Sequence, residues 1–273
     1  MVTLYFSKDR PAQLDLALHS AKINCIGTTT DYSVVLYKAS DGAHDDGYTM
    51  LKQRYPSVEF VRQENFKKDL LTILAGQQYV MFVVDDCIFT NECKLVEIRS
   101  MLTWHTDVLG FSLRLGQNTK MCYPLGIDNE IPELVSTTEN MFTFNWVTAG
   151  KGDFGYPLEL SSSVYRVNDL DPFLFSGIYS SPNSLESYLN QAKNFMTRKP
   201  ALACYKTSVA FCNPINKVQR ENNNRSGSKD DYSTKVLLDK FLSGKVINYT
   251  YSNFVSNGCH QEVDIEMVDY SER

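Results

Sequence analysis

The sequence predicts an α/β protein built on a mainly parallel sheet flanked by helices. Over residues 2–84, apolar strand patterns alternate with helical patterns, and the alternation begins with a strand. Residues 80–84 are an uninterrupted apolar run that leads into Asp85 and Asp86, which is typical of a strand buried on both faces. The alternation breaks down in the second half of the chain. Together these patterns indicate a doubly wound sheet followed by an irregular α+β part.

The first half supplies four strands and three helices. Pro11 suits the first turn of a helix, Pro56 ends another, and Gly76 suits a helix C-cap. The predicted strands are residues 2–6, 32–38, 58–61 and 80–84, and the predicted helices are residues 11–24, 48–54 and 67–75.

The second half is less regular. Its turn-rich stretch at residues 121–139 and its polar loop at residues 213–231 interrupt the pattern. The strands predicted here are residues 108–115, 142–147 and 163–167, and the helices are residues 91–102, 169–175, 184–197 and 233–242. The acidic tail after Val263 is predicted to be exposed.

Composition excludes several classes of protein. A chain of 273 residues with 43% hydrophobic and 22% charged residues is ordinary for a globular protein, and a net charge of -5 argues against a nucleic-acid partner. Seven scattered cysteines without a C-x-x-C pair indicate neither a disulfide framework nor a thiolate zinc site, and they favour a reducing cytoplasm. No apolar run is long enough to span a bilayer, although attachment to a membrane through a partner stays open.

The paired carboxylates are the main functional signal. Ligands of open α/β sheets bind outside the carboxyl ends of the strands, so Asp85 and Asp86 can hold a divalent cation against a phosphorylated ligand. Neither a G-x-G-x-x-G nor a G-x-x-x-x-G-K-[ST] motif is present. The phosphates of a bound nucleotide would therefore need a cation and side chains. The alternative is that both acids only cap the next turn or helix.

Three stretches carry a resemblance to a known family. They are residues 6–11 (FSKDRP), residues 84–86 (VDD) and residues 257–262 (NGCHQE). With them the chain resembles the GT-A class of nucleotide-sugar glycosyltransferases, which has a Rossmann-like fold. Residues 111–116 and 213–219 are also similar to stretches of uncharacterised bacterial members. The resemblance implies a nucleotide-sugar-binding half at residues 1–115 and an acceptor-binding and lid half at residues 116–273, in one continuous domain.

The resemblance also implies a metal site. In that class the last acid of the motif binds Mn²⁺ or Mg²⁺, which implies this role for Asp86, while Asp85 contacts the sugar or ribose. A histidine near the C-terminus often completes the site, which implies His260 as a second ligand. Cys87 departs from a strict Asp-x-Asp motif, so the two acids can exchange roles. His260 can also be a plain loop histidine bonded to the backbone.

Candidates for donor binding follow the strands. The base, ribose and diphosphate are expected near loop residues, with Phe66 beside the base and the cations near the phosphates. Turn and cap chemistry is the alternative for the loop residues, an internal carboxylate partner is the alternative for Arg114, and a solvated loop is the alternative for the late cations. The donor candidates are Ser7, Lys8, Arg10, Ser40, Asp41, Phe66, Asp85, Arg114 and Lys217, with Arg220 and Arg225 as further cations.

The irregular half is expected to bind the acceptor. Asp153 and Glu186 are the candidates for the base or for the group that stabilises the sugar cation. Glu186 has a plain alternative as a favourable charge in the first turn of its helix. Tyr156 and Trp146 are candidates for stacking on sugar rings, with core packing as their alternative.

The predicted function is a cytoplasmic, metal-dependent glycosyltransferase. It would move a sugar from a nucleoside-diphosphate donor to a saccharide or lipid-linked acceptor, in surface polysaccharide biosynthesis by analogy alone. Two alternatives remain: a nucleotidyltransferase that makes the activated sugar, and a binding module without turnover.

Overall fold

The computed structural model describes residues 1–27, 32–218, 225–227 and 229–273. Its α-helices are α1 Pro11–Asn24, α2 Gly42–Arg54, α3 Phe66–Leu74, α4 Leu95–Trp104, α5 Val167–Ser176, α6 Pro182–Ala192 and α7 Thr234–Leu242. Short 3₁₀ turns lie at Asp153–Gly155, Lys193–Met196, Asp230–Tyr232 and Tyr270–Glu272.

The strands come in two groups along the chain. The first group is β1 Val2–Lys8, β2 Cys25–Ile26, β3 Tyr32–Lys38, β4 Glu59–Arg62, β5 Tyr79–Val84, β6 Cys87–Phe89, β7 Cys93–Lys94 and β8 Val108–Ser112. The second group is β9 Met121–Cys122, β10 Ile127–Asp128, β11 Val135–Ser136, β12 Met141–Asn145, β13 Ser163–Arg166, β14 Ala201–Tyr205, β15 Ala210–Cys212, β16 Lys245–Ile247 and β17 Met267–Asp269.

Within the described residues, nine strands form one sheet in the order β11-β12-β14-β8-β13-β5-β1-β3-β4. The pairs β4–β3, β3–β1, β1–β5 and β8–β14 are parallel, whereas β13 is antiparallel to both of its neighbours and β12 to both of its own. Seven of the nine strands therefore run in one direction. The predicted fold class, a mainly parallel α/β sheet flanked by helices, is confirmed.

Helices cover both faces of this sheet. Side chains of α1, α2, α4 and α7 pack on one face, and those of α3, α5 and α6 pack on the other. Neighbouring residues of β5 point to opposite faces: Met81 and Val83 join the first core, and Val80 and Phe82 join the second. This explains why β5 is apolar throughout.

The chain reverses its direction of travel across the sheet at β1. The strands β3 and β4 extend the sheet on one side of β1, and β5 lies on the other side. Such a switch point leaves a crevice at the carboxyl ends of the two central strands. Those ends carry Ser7 and Lys8 on β1, and Asp85 and Asp86 directly after β5.

Several element boundaries differ from the prediction. Helix α2 begins at Gly42, not at residue 48, because the Asp41 side chain accepts from the backbone N–H of His44 and caps it. Helix α4 begins at Leu95, not at residue 91, because Cys93–Lys94 form β7 and pair with β2. The predicted helix at residues 184–197 starts at Pro182 and tightens into a 3₁₀ turn after Ala192.

The sequence predicts that the acidic tail after Val263 is exposed, but part of this tail packs against the rest of the protein. Residues of β17 pair with β16, and the Arg273 side chain is buried against Asp15. Likewise, the start of the predicted polar loop is buried at Asn213 and Asn216. Among the described helices, none has both the length and the apolar character needed to cross a bilayer.

Candidate active site

A cavity of about 1190 Å³ lies at the carboxyl ends of β1 and β5. Residues from both halves of the chain line it. The predicted catalytic, donor-binding and metal-binding residues that line this cavity include Ser7, Lys8, Arg10, Ser40, Phe66, Asp85, Asp86, Arg114, Asp153, Glu186, Lys217 and His260. Asp41 instead caps α2 with an exposed side chain, so the structure does not bring it to the cavity.

Asp85 is held by groups of the first loop. Its carboxylate accepts from the Ser7 hydroxyl at 3.0 Å, from the Lys8 backbone N–H at 3.3 Å and from the Arg10 guanidinium at 2.9 Å. Burial raises the pKa of Asp85, and the Arg10 charge opposes that rise. The contacts fix Asp85 as a support for the loop, with little capacity left for a ligand.

Asp86 is placed differently although it is the next residue. Its side chain is 15% exposed, and its carboxylate lies 3.4 Å from Arg10 Nη1. Its backbone carbonyl accepts from Asn213, which ties the acid to the segment after β15. Asp86 therefore presents its carboxylate to the cavity.

Arg10 joins the first loop to a distant segment. Its Nη1 faces both aspartates, and its Nη2 donates to the backbone carbonyl of Asn216. The Asn216 side chain in turn exchanges hydrogen bonds of 3.3 Å with Gln13 on α1. The guanidinium is thus fixed, with its charge shared between two acids at the cavity wall.

His260 packs against Arg114. The bond from Arg114 Nη1 to His260 Nε2 is 3.2 Å long. Burial, followed by the Arg114 charge, lowers the pKa of His260 well below its usual value, so the ring is neutral. Because a guanidinium only donates, we assign the lone pair to Nε2 and the proton to Nδ1, which is buried and has no hydrogen-bond partner among the described residues.

These contacts determine which of the residues can bind a metal ion. Asp86 offers a carboxylate oxygen, the kind of ligand that Mg²⁺ and Mn²⁺ prefer. His260 offers no free lone pair while Arg114 donates to it, so a metal role for His260 requires the ring to leave Arg114. In the described part of the chain, no group of three or more metal-ligating side chains is assembled. Asp86 together with substrate phosphates is the ligand set that fits.

Glu186 faces the cavity from the second turn of α6. Its carboxylate accepts from the Leu160 backbone N–H at 2.8 Å and from the Tyr156 hydroxyl at 3.2 Å. Burial and the neighbouring Glu159 raise the pKa of Glu186 to about 7. No acid occupies the first turn of α6, so the interpretation of Glu186 as a first-turn charge is wrong.

Asp153 lies on a neighbouring wall of the cavity. Its carboxylate accepts from the Asn129 side chain at 2.8 Å and from the Cys122 thiol at 3.6 Å. Burial raises the pKa of Asp153. These bonds hold the loop that begins the 3₁₀ turn at Asp153, and like Glu186 the acid accepts from two donors.

The far wall of the cavity is partly aromatic. Phe66 begins α3 and packs on Phe6, with 5.7 Å between the ring centroids, and on Tyr179, with 6.0 Å.

Ser40 is bound to a neighbouring loop. Its backbone N–H and its hydroxyl both donate to the Asp9 carboxylate, so the hydroxyl proton is already used in a hydrogen bond.

The cations predicted in the polar loop at residues 213–231 have different positions. Lys217 and Arg225 line the cavity, and the Arg225 guanidinium stacks over the Tyr123 ring at 4.5 Å. Arg220 lies outside the described residues. Trp146 was a stacking candidate, but it is buried in the core and its indole N–H donates to Lys199, whereas Tyr156 does line the cavity.

Sequence reasoning missed Glu159, the carboxylate that pairs with Arg114. The ion pair is 2.7 Å long and both side chains are buried. Glu159 also accepts from the Ser161 backbone and the Ser163 hydroxyl. The available signal was Arg114 itself, because a cation beside an apolar strand needs an internal partner. The alternative stated for Arg114 is therefore confirmed.

The fold and site are those of an α/β protein with a carboxylate-lined ligand cavity at its switch point. No family model matches the chain. It is 30% identical over 238 residues to the bifunctional glycosyltransferase pgtA of Dictyostelium discoideum. The match covers 76% of this chain but only 31% of that protein's length. This similarity confirms the resemblance to glycosyltransferases seen in the sequence.

Two solved structures show a partial likeness. TarS of S. aureus in complex with UDP-GlcNAc aligns with a TM-score of 0.47 and 14% identity, over 87% of this chain and 65% of that one. A mannosyltransferase of Pyrobaculum calidifontis in complex with GDP-Man and Mn²⁺ aligns with a TM-score of 0.42 and 11% identity, over 67% of this chain and 50% of that one.

Proposed function

We propose that the protein is a glycosyltransferase that moves a sugar from a nucleoside-diphosphate donor to an acceptor hydroxyl. The observation that carries the proposal is one cavity in which Arg10 and Asp86 meet Glu186. The first two suit a metal-bound diphosphate, and a carboxylate with a pKa of about 7 suits a proton acceptor at neutral pH. The similarity to pgtA supports the same class.

The donor is placed along the switch point. Its base lies beside Phe66, and its diphosphate lies near Lys8, Arg10 and Lys217, whose positive charges offset the negative charge of the phosphates. Asp86 would hold a Mn²⁺ or Mg²⁺ ion together with the phosphate oxygens. A bound cation supplies further positive charge to the departing diphosphate.

The chemical step needs a base on the acceptor side. The acceptor oxygen attacks the anomeric carbon of the donor sugar, and its proton passes to the Glu186 carboxylate. The bond from the sugar to the diphosphate breaks, and the diphosphate leaves with the electron pair. We assign the base to Glu186 in preference to Asp153, because a pKa of about 7 suits Glu186 to accept a proton at neutral pH.

The finer parts of the proposal concern the acceptor and the setting. We propose a saccharide or lipid-linked acceptor, and a role in surface polysaccharide biosynthesis in the cytoplasm. These rest on the resemblance to the GT-A class, and peripheral attachment to a membrane is compatible with them.

The test is the release of nucleoside diphosphate from a panel of UDP- and GDP-sugars, with Mn²⁺ or with a chelator, in the presence of mixed saccharide acceptors. We expect metal-stimulated release with one donor, and a product one sugar heavier by mass spectrometry. Glu186→Gln should lower turnover about 100-fold or more, and the exposed Glu139→Gln should not change it.

Other outcomes would favour the alternatives. Formation of a nucleotide sugar and pyrophosphate from a nucleoside triphosphate and a sugar phosphate would indicate a nucleotidyltransferase. Binding of a donor without any product would indicate a binding module. Full turnover by Glu186→Gln would reject the base.

A further inference from the structure

The carboxylates of Glu159, in the loop before β13, and Glu186, on α6, meet at one turn of the backbone. The Leu160 N–H donates to the Glu186 carboxylate at 2.8 Å, and the next N–H, that of Ser161, donates to the Glu159 carboxylate. Two acids that bond consecutive N–H groups are held as close neighbours. Glu159 is buried and Glu186 is half-buried, so their negative charges interact with less screening than in water.

The two acids differ in their partners. Glu159 pairs with Arg114 at 2.7 Å and also receives the Ser163 hydroxyl. Glu186 has no cationic partner among the described residues, and its donors are the neutral groups of Leu160 and Tyr156. The Arg114 cation thus lies directly against Glu159, whereas neutral donors surround Glu186.

The turn that carries Glu159, and whose Leu160 N–H bonds Glu186, is itself constrained. Ser162 has a φ of +146°, which is unusual for a residue other than glycine, and it is fully buried. The Tyr165 hydroxyl donates to the backbone carbonyls of Pro157 and Glu159. These features hold in place the two N–H groups, of Leu160 and Ser161, that bond the two carboxylates.

We propose that Glu159 and Arg114 form a charge-setting pair that determines the pH at which Glu186 takes up a proton. The Glu159 charge favours protonation of Glu186, and the Arg114 charge limits that effect. This inference rests on the proposed function, in which Glu186 is the base. Glu159 and Arg114 are positioning residues that act through Glu186.

The groups that face Glu186 determine whether each variant raises or lowers the pH at which Glu186 takes up a proton. They are Glu159 and Tyr156 on the loop before β13, Arg114 after β8, and the Leu160 N–H. Glu159→Gln removes a negative neighbour and leaves the Arg114 charge, so both changes favour ionised Glu186. Arg114→Met leaves the Glu159 charge uncompensated and favours protonated Glu186. Removing both charges together should give an intermediate result.

The test is an NMR titration of the Glu186 side-chain carboxyl in ligand-free protein labelled with ¹³C-glutamate. Loss of the signal in Glu186→Gln assigns it. We expect the midpoint in Glu159→Gln to fall by about one pH unit, the midpoint in Arg114→Met to rise, and that of the double variant to lie between them. The exposed Glu139→Gln is the matched control and should leave the midpoint unchanged.

One outcome would overturn this proposal, and a different one would reject the proposed function. An unchanged midpoint in Glu159→Gln would show that the pair does not set the charge of Glu186. If Arg114→Met does not fold, Glu159→Gln and the double variant still decide this point. The shifts should reappear in the pH dependence of kcat/KM with the donor that the panel identifies. Shifts by NMR combined with full turnover in Glu186→Gln would instead reject the catalytic use of Glu186.

Discussion

At the scale of single residues, adjacent aspartates take different roles. Asp85 is fixed by Ser7, Lys8 and Arg10, whereas Asp86 keeps its carboxylate at the cavity. The resemblance alone left open which acid meets the cation. The difference in hydrogen bonding favours Asp86, because a carboxylate already saturated by donors has fewer lone pairs for a metal.

This difference predicts opposite effects for two matched variants. Asp86→Asn should lower metal-stimulated turnover about 100-fold and change the free energy of unfolding by less than about 1 kcal/mol. Asp85→Asn should lower the free energy of unfolding by about 2–3 kcal/mol, because the buried Arg10 charge loses the closer of its two carboxylate partners. Turnover assays and urea denaturation measure both. Equal loss of stability in the two variants would contradict the assignment.

At the scale of secondary-structure elements, packing between strands holds the turn beneath the site. Gly110 on β8 faces Tyr165 on β13, and a Cβ at Gly110 would lie 2.5 Å from the Tyr165 ring. The same ring carries the hydroxyl that bonds the backbone of Glu159. The glycine therefore allows the Tyr165 ring of β13 to pack closely on β8. Through the hydroxyl of that ring, it also helps to place Glu159 beside Glu186.

Gly110→Ala should consequently disturb both stability and the site. We expect the free energy of unfolding to fall by about 2 kcal/mol, because the ring has to move in a closely packed core. Gly42→Ala is the control: a Cβ there has open space at the start of α2, so its stability should stay the same or rise slightly. Urea unfolding of both variants measures the difference. A fully stable Gly110→Ala protein would show that Tyr165 adapts without cost.

At the scale of the whole molecule, the last described residue is joined to the first helix. Asp15 on α1 is fully buried and pairs with Arg54 and Arg273, each at 2.6 Å. Arg273 also donates to the backbone carbonyl of Ile247. The tail thus helps to hold α1, α2 and β16 together on the face away from α3.

Removing the shared acid should therefore weaken the fold without touching the cavity. Asp15→Ala leaves two buried cations without their partner, and we expect it to lower the free energy of unfolding by about 3–5 kcal/mol. Turnover per folded molecule should stay near the wild-type value, since Asp15 does not line the cavity. Denaturation curves and active-site titration provide the two measurements. A large loss of turnover in the folded variant would contradict this separation.

The site was only partly predictable from the sequence. Asp85, Asp86 and Arg10 were found because parallel strands end at one edge of the sheet, so residues far apart in the chain can be placed together. Asp41 was misplaced for a local reason: an aspartate before a helix satisfies the helix N-terminus first. Glu159 was missed because its only signal, the buried cation Arg114, does not identify which acid pairs with it.

The sequence by itself determined the α/β architecture, because apolar periodicity depends only on which side chains must leave water. It also determined that acids follow the central strand. Only the tertiary structure decided that Asp85 supports the loop while Asp86 faces the cavity, that His260 accepts from Arg114, and that Glu159 stands beside Glu186. Those outcomes depend on hydrogen bonds and charge pairs between segments that are far apart in the sequence. Such contacts form or fail with differences in distance of a few tenths of an ångström, which no local sequence pattern encodes.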